Sequence, residues 1–344
     1  MSYKDDLLKS LRNVKNLELL KNKTVYITGA TGQIGRSIIT VIRHLNETEN
    51  YNTKLILNVR SADRIDQVFS DIKDFDYVSF QIGNITERIE IEEDIDYIIS
   101  AASNTHPVAY AKEPVETVLT NVEGAKNVFN LAVKKNARVI NLSSVEIYGN
   151  STNETAFKET DMGYIDCNTT RACYNEGKRL AETLLQAYIA EYNLNAVTVR
   201  LPRLFGPETK KDDTKALSQF INNAVNHEDI VLKSAGEQYF SYLYATDAIS
   251  GILTILLDGK TGEAYNLSNP GCDIKLKDLA AIIAESVGQK VIFDLPDETE
   301  SKGFSKSAYA ILDSTKIRSE LGWDAAFNIE EAIKSTIDQL SLKK

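Results

Sequence analysis

Residues 171–179 read Arg-Ala-Cys-Tyr-Asn-Glu-Gly-Lys-Arg, placing the phenol of Tyr174 four residues before the ammonium of Lys178 at the start of a helical pattern. Residues i and i+4 of a helix share a face. A free tyrosine, with a pKa of about 10, is a poor base at neutral pH. A cation on its face favours phenolate and improves it as a base. The nonapeptide also fits a tyrosine that only packs. Cys173 could be read as a nucleophile, but none of the three histidines (His44, His106, His227) has an evident reason to activate it, and none forms a metal motif with another. No metal site is expected.

A second stretch, TVYITGATGQIGRSI, carries Gly29, Gly32 and Gly35 directly after an apolar strand pattern and into a helical one. The first glycine permits a tight turn, the second lets backbone approach a pyrophosphate, and the third lets the helix pack close to the sheet. The helix start offers free N–H groups and the positive end of its dipole to phosphates. With Thr31, Gln33 and Ile34 between them, these residues predict a dinucleotide cradle; the alternative is a bare structural turn. An acid for the ribose hydroxyls of NAD is expected at the end of the second strand. Asn58, Val59 and Arg60 stand there instead, so Arg60 is available for a 2′-phosphate. The expected cofactor is NAD or NADP, with NADP favoured. Asn84, Ile85, Ala101 and Ala102 fall just after the third and fourth strand patterns and are expected beside the cofactor, with Ser103 and Asn104 nearer a substrate.

The elements that must position these groups are legible as apolar runs at 24–28, 54–59, 77–82, 96–100, 138–144 and 196–201. Their apolar character is nearly continuous, as for strands buried on both faces. Helical patterns fill most gaps, the longest at 115–135. The alternation predicts an α/β fold: a Rossmann-type doubly wound parallel sheet with a smaller C-terminal α/β substrate lobe. Beyond about residue 203 the pattern loosens into a charged loop, helices at 215–226, 245–257, 277–288 and 328–340, and one short strand, IVLK. The expected division is an N-terminal helical extension over 1–22, a dinucleotide domain over 23–202 that also takes in about 241–260, and a substrate lobe made of 203–240 and 261–344. The extension has no assigned role.

TGATGQIG, NLSSVEIYG (141–149) and YNEGK (174–178) together resemble the extended short-chain dehydrogenases/reductases, the NAD-dependent epimerase/dehydratase family, most of whose members act on nucleotide-activated sugars. The resemblance covers about residues 23–325, and RACYNEGKRLAETL looks nearest to the UDP-glucuronate decarboxylase branch. It implies Tyr174 as acid/base, Lys178 as the group that tunes it and binds the nicotinamide ribose, and Ser144 as hydrogen-bond partner of the reacting oxygen. Asn121 matches a structural asparagine near that site. Glu146 matches a glutamate acting near the sugar's C5–C6 end, or else it anchors a loop. The dehydratase pattern is Thr-Asp-Glu, whereas this chain has Ser144-Val145-Glu146; Val145 cannot protonate a leaving hydroxyl, which argues against 4,6-dehydration. The resemblance further implies hydride transfer at a sugar carbon, of epimerase, decarboxylase or dehydratase type, for cell-surface polysaccharide precursors, and a homodimer through the helices before and at Tyr174. Leu180, Leu184 and Tyr188 recur there at helical spacing and fit a core equally well.

The substrate lobe departs from the family pattern. Phe240 stands two residues past Gln238, where a diphosphate-binding arginine is expected; Tyr309 and Ala310 occupy the place of a second; and Arg203 replaces an asparagine. Lys210, Lys211 and Lys233 are further candidates for phosphate, and Gln219 and Phe220 are expected at the substrate. Either a rearranged set led by Arg203 grips a nucleotide diphosphate sugar, or the substrate is a CDP-linked ketose or sugar phosphate undergoing net reduction to an alditol. A dinucleotide-sensing regulator is a third reading, and the retained Ser144, Tyr174 and Lys178 argue against it. The net charge of −10 argues against a nucleic-acid polymer as partner. No apolar run is long enough for a membrane span, the N-terminus lacks an apolar signal core, and three cysteines without metal spacing fit a reducing cytoplasm.

Overall fold

The computed structural model describes residues 2–105, 107–150, 154–209, 215–295 and 308–342, without the side chains of 107–109. Strands β1 (Thr24–Thr28), β2 (Lys54–Val59), β3 (Val78–Ile82), β4 (Tyr97–Ser100), β5 (Arg138–Ser144) and β6 (Ala196–Leu201) lie parallel in one sheet. Between them run α1 (Tyr3–Leu11), before the sheet, then α2 (Gln33–Glu49), α3 (Asp63–Phe69), α4 (Pro107–Lys112), α5 (Pro114–Lys135) and α6 (Ala172–Tyr192). The remainder comprises β7 (Arg203–Phe205), α7 (Ala216–Val225), β8 (Ile230–Leu232), β9 (Tyr239–Tyr244), α8 (Ala245–Asp258), β10 (Ala264–Asn266), β11 (Asp273–Lys275), α9 (Leu276–Ser286), β12 (Val291–Phe293), β13 (Tyr309–Ala310), α10 (Thr315–Leu321) and α11 (Ile329–Ser341).

The large sheet has seven strands in the order β10-β6-β5-β4-β1-β2-β3. Strand order reverses between β1 and β4, and the crevice above their carboxyl ends is where ligands bind in open α/β sheets. The fold class is as the sequence predicts. β3 differs from the expectation of a strand covered on both faces: it is the sheet edge, and Ile82 is 51% exposed. Its Val-Ser-Phe-Gln-Ile alternation suits one covered face. β10 completes the opposite edge from within 261–344. The second core gathers α7, α9 and α11 around β9 and β8.

The N-terminal extension has a structural job. α8 is buried all round from Ala245 to Leu256, with its polar Thr246, Asp247, Ser250 and Thr254 buried among apolar residues. α1 lies against it and buries Leu7 and Leu11, each such side chain contributing about 1.5–3 kcal/mol. α1 starts with a capping box between Ser2 and Asp5. Its Asp6 is fully buried and accepts hydrogen bonds from Tyr244 (2.6 Å), Gln339 (2.8 Å) and Ser335. One carboxylate thus joins the extension, the end of β9 and the last helix. Asp6→Ala leaves three donors without that acceptor and is expected to cost about 3 kcal/mol, read as a fall in the urea midpoint.

Candidate functional site

The glycine turn sits at the strand-order reversal. The Thr28 hydroxyl at the end of β1 accepts hydrogen bonds from the N–H groups of Ala101 (3.0 Å) and Ala102 (3.2 Å), stitching the ends of β1 and β4 together. Gly29 follows at φ +69°, and a Cβ there would lie 2.8 Å from the Ala101 carbonyl carbon. A Cβ on Gly35 would lie 2.7 Å from the Gly29 oxygen. Gly32 caps α2 without any side-chain hydrogen bond, so the first N–H groups of a 17-residue helix have no side-chain acceptor. Thr31 is half-buried in the turn, Ile34 packs against the main core, and Gln33 reaches Thr209 across the cleft. A cradle that a Cβ would fill, at the positive end of a helix, fits the phosphates of a nicotinamide dinucleotide.

At the end of β2, Asn58 is buried and its amide donates to Gln81 and to the Gly83 carbonyl (3.1 Å). Those donors secure the β3 end. Arg60 is exposed and reaches the Asn104 oxygen at 3.5 Å. Asn84 accepts from the Thr86 N–H, and Ile85 is buried against Gly124. Ser103 donates to Asn121 (2.8 Å), whose amide returns to Thr117, and Gly177 of α6 packs on the Asn121 side chain. Asn121 thus spaces α5 from α6.

The structure brings Ser144, Tyr174 and Lys178 together where β5 ends beside the first turns of α6. Ser144 lies near the Tyr174 phenol and favours its charged form, and the Ser144 hydroxyl accepts from the Glu146 N–H at 3.3 Å. Tyr174 and Lys178 are both buried. Burial pushes Tyr174 up to about 12; Ser144 and Arg171 pull it down, and Glu146 pushes it further up. Burial pulls Lys178 down to about 8, opposed by Glu182. The ammonium donates to the Leu142 carbonyl at 2.7 Å. Without a further cation the phenol therefore stays protonated: desolvation outweighs the neighbouring groups that favour phenolate.

Sequence reasoning missed the surroundings of this cluster. Glu146, in the 3₁₀ turn Val145–Tyr148, pairs with Arg171 at 3.0 Å and accepts from Asn175 at 3.2 Å. Arg171 also donates to Asn175 (2.8 Å) and lies over the Tyr110 ring at 4.8 Å. Tyr110, from α4, stacks on Tyr174 with centroids 4.9 Å apart and a 26° interplanar angle. Arg171 and Asn175 stood in the sequence segment itself; nothing local marked Tyr110. Below them, buried Arg200 of β6 binds Glu182 of α6 (2.7 Å), the Tyr148 hydroxyl (2.8 Å) and the Glu159 carbonyl (2.7 Å). Tyr148 donates to Asn266 of β10 at 2.6 Å.

On the lobe side, the Arg203 guanidinium stands 3.6 Å from the centre of the Phe240 ring, and its buried Nη1 has no hydrogen-bond partner. Register explains the meeting: β7 lies beside β9 with Arg203 opposite Tyr242, two residues from Phe240. Val145 is buried in the second core, as is Phe220, which is there for packing. Gln219 is exposed on α7. Lys233 is exposed and lies 3.7 Å from Asp294. Tyr309 makes an edge contact with Tyr239. Lys210 and Lys211 lie outside the described residues. Among the described residues no cluster could hold a metal ion, and no helix is long and apolar enough to cross a membrane.

Residues 25–268 match the model of the NAD dependent epimerase/dehydratase family. The chain is 27% identical over 330 residues to UDP-glucuronic acid decarboxylase 5 of Arabidopsis thaliana, covering 94% of this chain and 90% of that one. It is 28% identical over 331 residues to UDP-glucuronic acid decarboxylase 1 of Xenopus tropicalis, covering 94% and 73%. Among solved structures, dTDP-glucose 4,6-dehydratase from Bacillus anthracis in complex with NAD superposes with a TM-score of 0.75 at 20% identity, covering 92% and 96%. UDP-glucose 4-epimerase from Thermotoga maritima with UDP-glucose does so with a TM-score of 0.76 at 19% identity, covering 93% and 99%. At those identities the superpositions speak for the fold.

Two outcomes are expected from this geometry. Gly29→Ala combines a clash with a left-handed backbone, and should weaken nicotinamide dinucleotide binding at least about tenfold, measured by fluorescence titration. Lys178, held near 8, loses its charge as pH rises through that value. Dinucleotide affinity of the free protein should therefore fall above about pH 8, and Lys178→Met should remove that step.

Proposed function

The chain belongs to the NAD dependent epimerase/dehydratase family, and from that premise we propose that it is an enzyme transferring hydride at a carbon of a nucleotide-linked sugar, in a closed cycle of decarboxylation or epimerisation. The carrying observation is the meeting of Ser144, Tyr174 and Lys178 at the end of β5, beside the glycine cradle. The dinucleotide, when bound, supplies the hydride acceptor and, oxidised, a positive charge. Gly29, Gly32 and Gly35 would hold its phosphates and Lys178 its ribose. Tyr174 takes the proton of the sugar hydroxyl, while Ser144 hydrogen-bonds the same oxygen and holds it in line. Glu146, fixed by Arg171 and Asn175, presents a carboxylate to the neighbouring carbon. Val145 is buried and has no proton to give, which argues against dehydration.

The relatives named as UDP-glucuronic acid decarboxylases support a nucleotide-linked uronate as the first substrate to try. For its diphosphate, Arg203 on Phe240 offers a cation with an unpaired donor in place of the two missing arginines. A second reading rests on the end of β2. Arg60 without an acid favours NADP and, with it, net reduction of a CDP-linked ketose or sugar phosphate. We further propose a homodimer through the outer faces of α5 and α6, where Val115, Leu119 and Leu180 are 70%, 41% and 49% exposed. The free thiols of Cys167, Cys173 and Cys272 suit a cytoplasmic setting.

Mass spectrometry of the dinucleotide released on denaturing the purified protein separates the two readings. Retained NAD, with carbon dioxide released from UDP-glucuronate or a UDP-hexose epimerised and no net NAD(P)H consumed, is the expected outcome. Steady consumption of NADPH with a CDP-linked ketose would overturn the closed cycle. Tyr174→Phe should lower turnover about 10²- to 10⁴-fold in either case.

A further inference from the structure

We propose that Tyr110 and Arg171 are positioning residues for Tyr174: the ring of Tyr110 seals one face of the phenol from water, and Arg171 pins that ring while tying it to Glu146. The inference rests on the reading of Tyr174 as acid/base and goes beyond it by placing control of the base on another element. Three layers carry it. Tyr174 and Tyr110 stack at 4.9 Å and 26°, within the range of offset aromatic pairs. The Arg171 guanidinium covers the Tyr110 ring at 4.8 Å, a cation on a π-face. Arg171 is itself held at both ends of its fork, by Glu146 at 3.0 Å and Asn175 at 2.8 Å. The candidate base and the candidate carboxylate are therefore mechanically one unit.

The unit also packs as a cluster of its own. Tyr110, Cys173 and Tyr174 form a small buried cluster, with Val118 against it, apart from the larger cores. Both tyrosines are only 6% exposed. The groups around Tyr174 are Ser144 from β5, Glu146 from the 3₁₀ turn, Tyr110 from α4, Arg171 at the cap of α6 and Cys173 of α6, with Lys178 one turn further on and bound to the Leu142 carbonyl. Ser144 and Arg171 favour phenolate, Glu146 opposes it, and burial opposes it most. Tyr110 supplies part of that burial. A phenol kept dry in this way ionises only when a further cation arrives, and returns its proton when that charge disappears.

The test is a titration of the purified protein with tyrosine labelled at Cζ, followed by NMR, with the Tyr174→Phe spectrum assigning the Tyr174 signal. In the wild type that signal should stay at its protonated position at pH of about 10, where an ordinary tyrosine is half ionised. Tyr110→Ala admits water and should move it at least half-way to tyrosinate at the same pH. Tyr110→Phe keeps the ring and should behave as the wild type. A Tyr110→Ala signal that stays protonated, or a Tyr110→Phe signal that shifts like Ala, overturns the proposal. Should Tyr110→Ala not fold, Arg171→Gln, at a half-exposed position, decides: the Tyr174 ring protons should lose part of the ring-current shift from Tyr110, and unchanged resonances overturn the proposal. Full turnover of UDP-glucuronate by Tyr174→Phe would instead remove the acid/base role while leaving the stack in place.

Discussion

The site depends on one buried cation. Arg200 sits on β6, and its guanidinium ties together α6 through Glu182, the turn after β5 through Tyr148, and the following loop through the Glu159 carbonyl. Tyr148 passes the tie on to β10 through Asn266. Ser144 and Glu146 ride on that turn, and Tyr174 and Lys178 ride on that helix. A bidentate arginine fixes direction as well as distance, and a guanidinium taken out of water has to keep every partner it has. The relation between a serine at a strand end and a tyrosine on a helix is thereby set from underneath.

Dryness is the other constraint. The same burial that strengthens every hydrogen bond in the cluster works against the charged forms of Tyr174 and Lys178. Ser144 and Arg171 counter only part of it for the phenol, and Lys178 is committed to a carbonyl. On the proposed reading, Tyr174 is an acid/base residue that rests as an acid. Ionisation has to be driven by charge arriving with the reactants, which couples proton transfer to occupancy of the glycine cradle next door.

The second lobe solves a charge problem by exchange between strands. Phe240 of β9 occupies a position where a cation was expected, and Arg203 of the adjoining β7 lays its guanidinium on that ring. Stacking holds the cation on the ring, and its buried Nη1 has no hydrogen-bond partner. The lobe is also not independent of the sheet domain: Asp6 at the N-terminus bonds Tyr244, Ser335 and Gln339 together, so the extension, β9 and α11 share one acceptor.

What the sequence determined by itself was everything written in short-range pattern. The apolar runs marked β1, β2, β5 and β6 to the residue, because a strand buried between helices must be apolar along its length. The glycines at 29, 32 and 35 marked the cradle, because only they permit that backbone approach. The spacing of Tyr174 and Lys178 marked one helical face. Tertiary structure alone decided the rest. Tyr110 reaches Tyr174 from a helix 64 positions earlier in the chain, Arg203 finds Phe240 through strand register, and Asp6 finds a partner in the last helix. Such contacts leave no periodicity to read. The pKa of Tyr174 belongs with them: the sequence shows which charges are near in the chain, but only the packed structure shows how much water has been removed, and here that loss outweighs them.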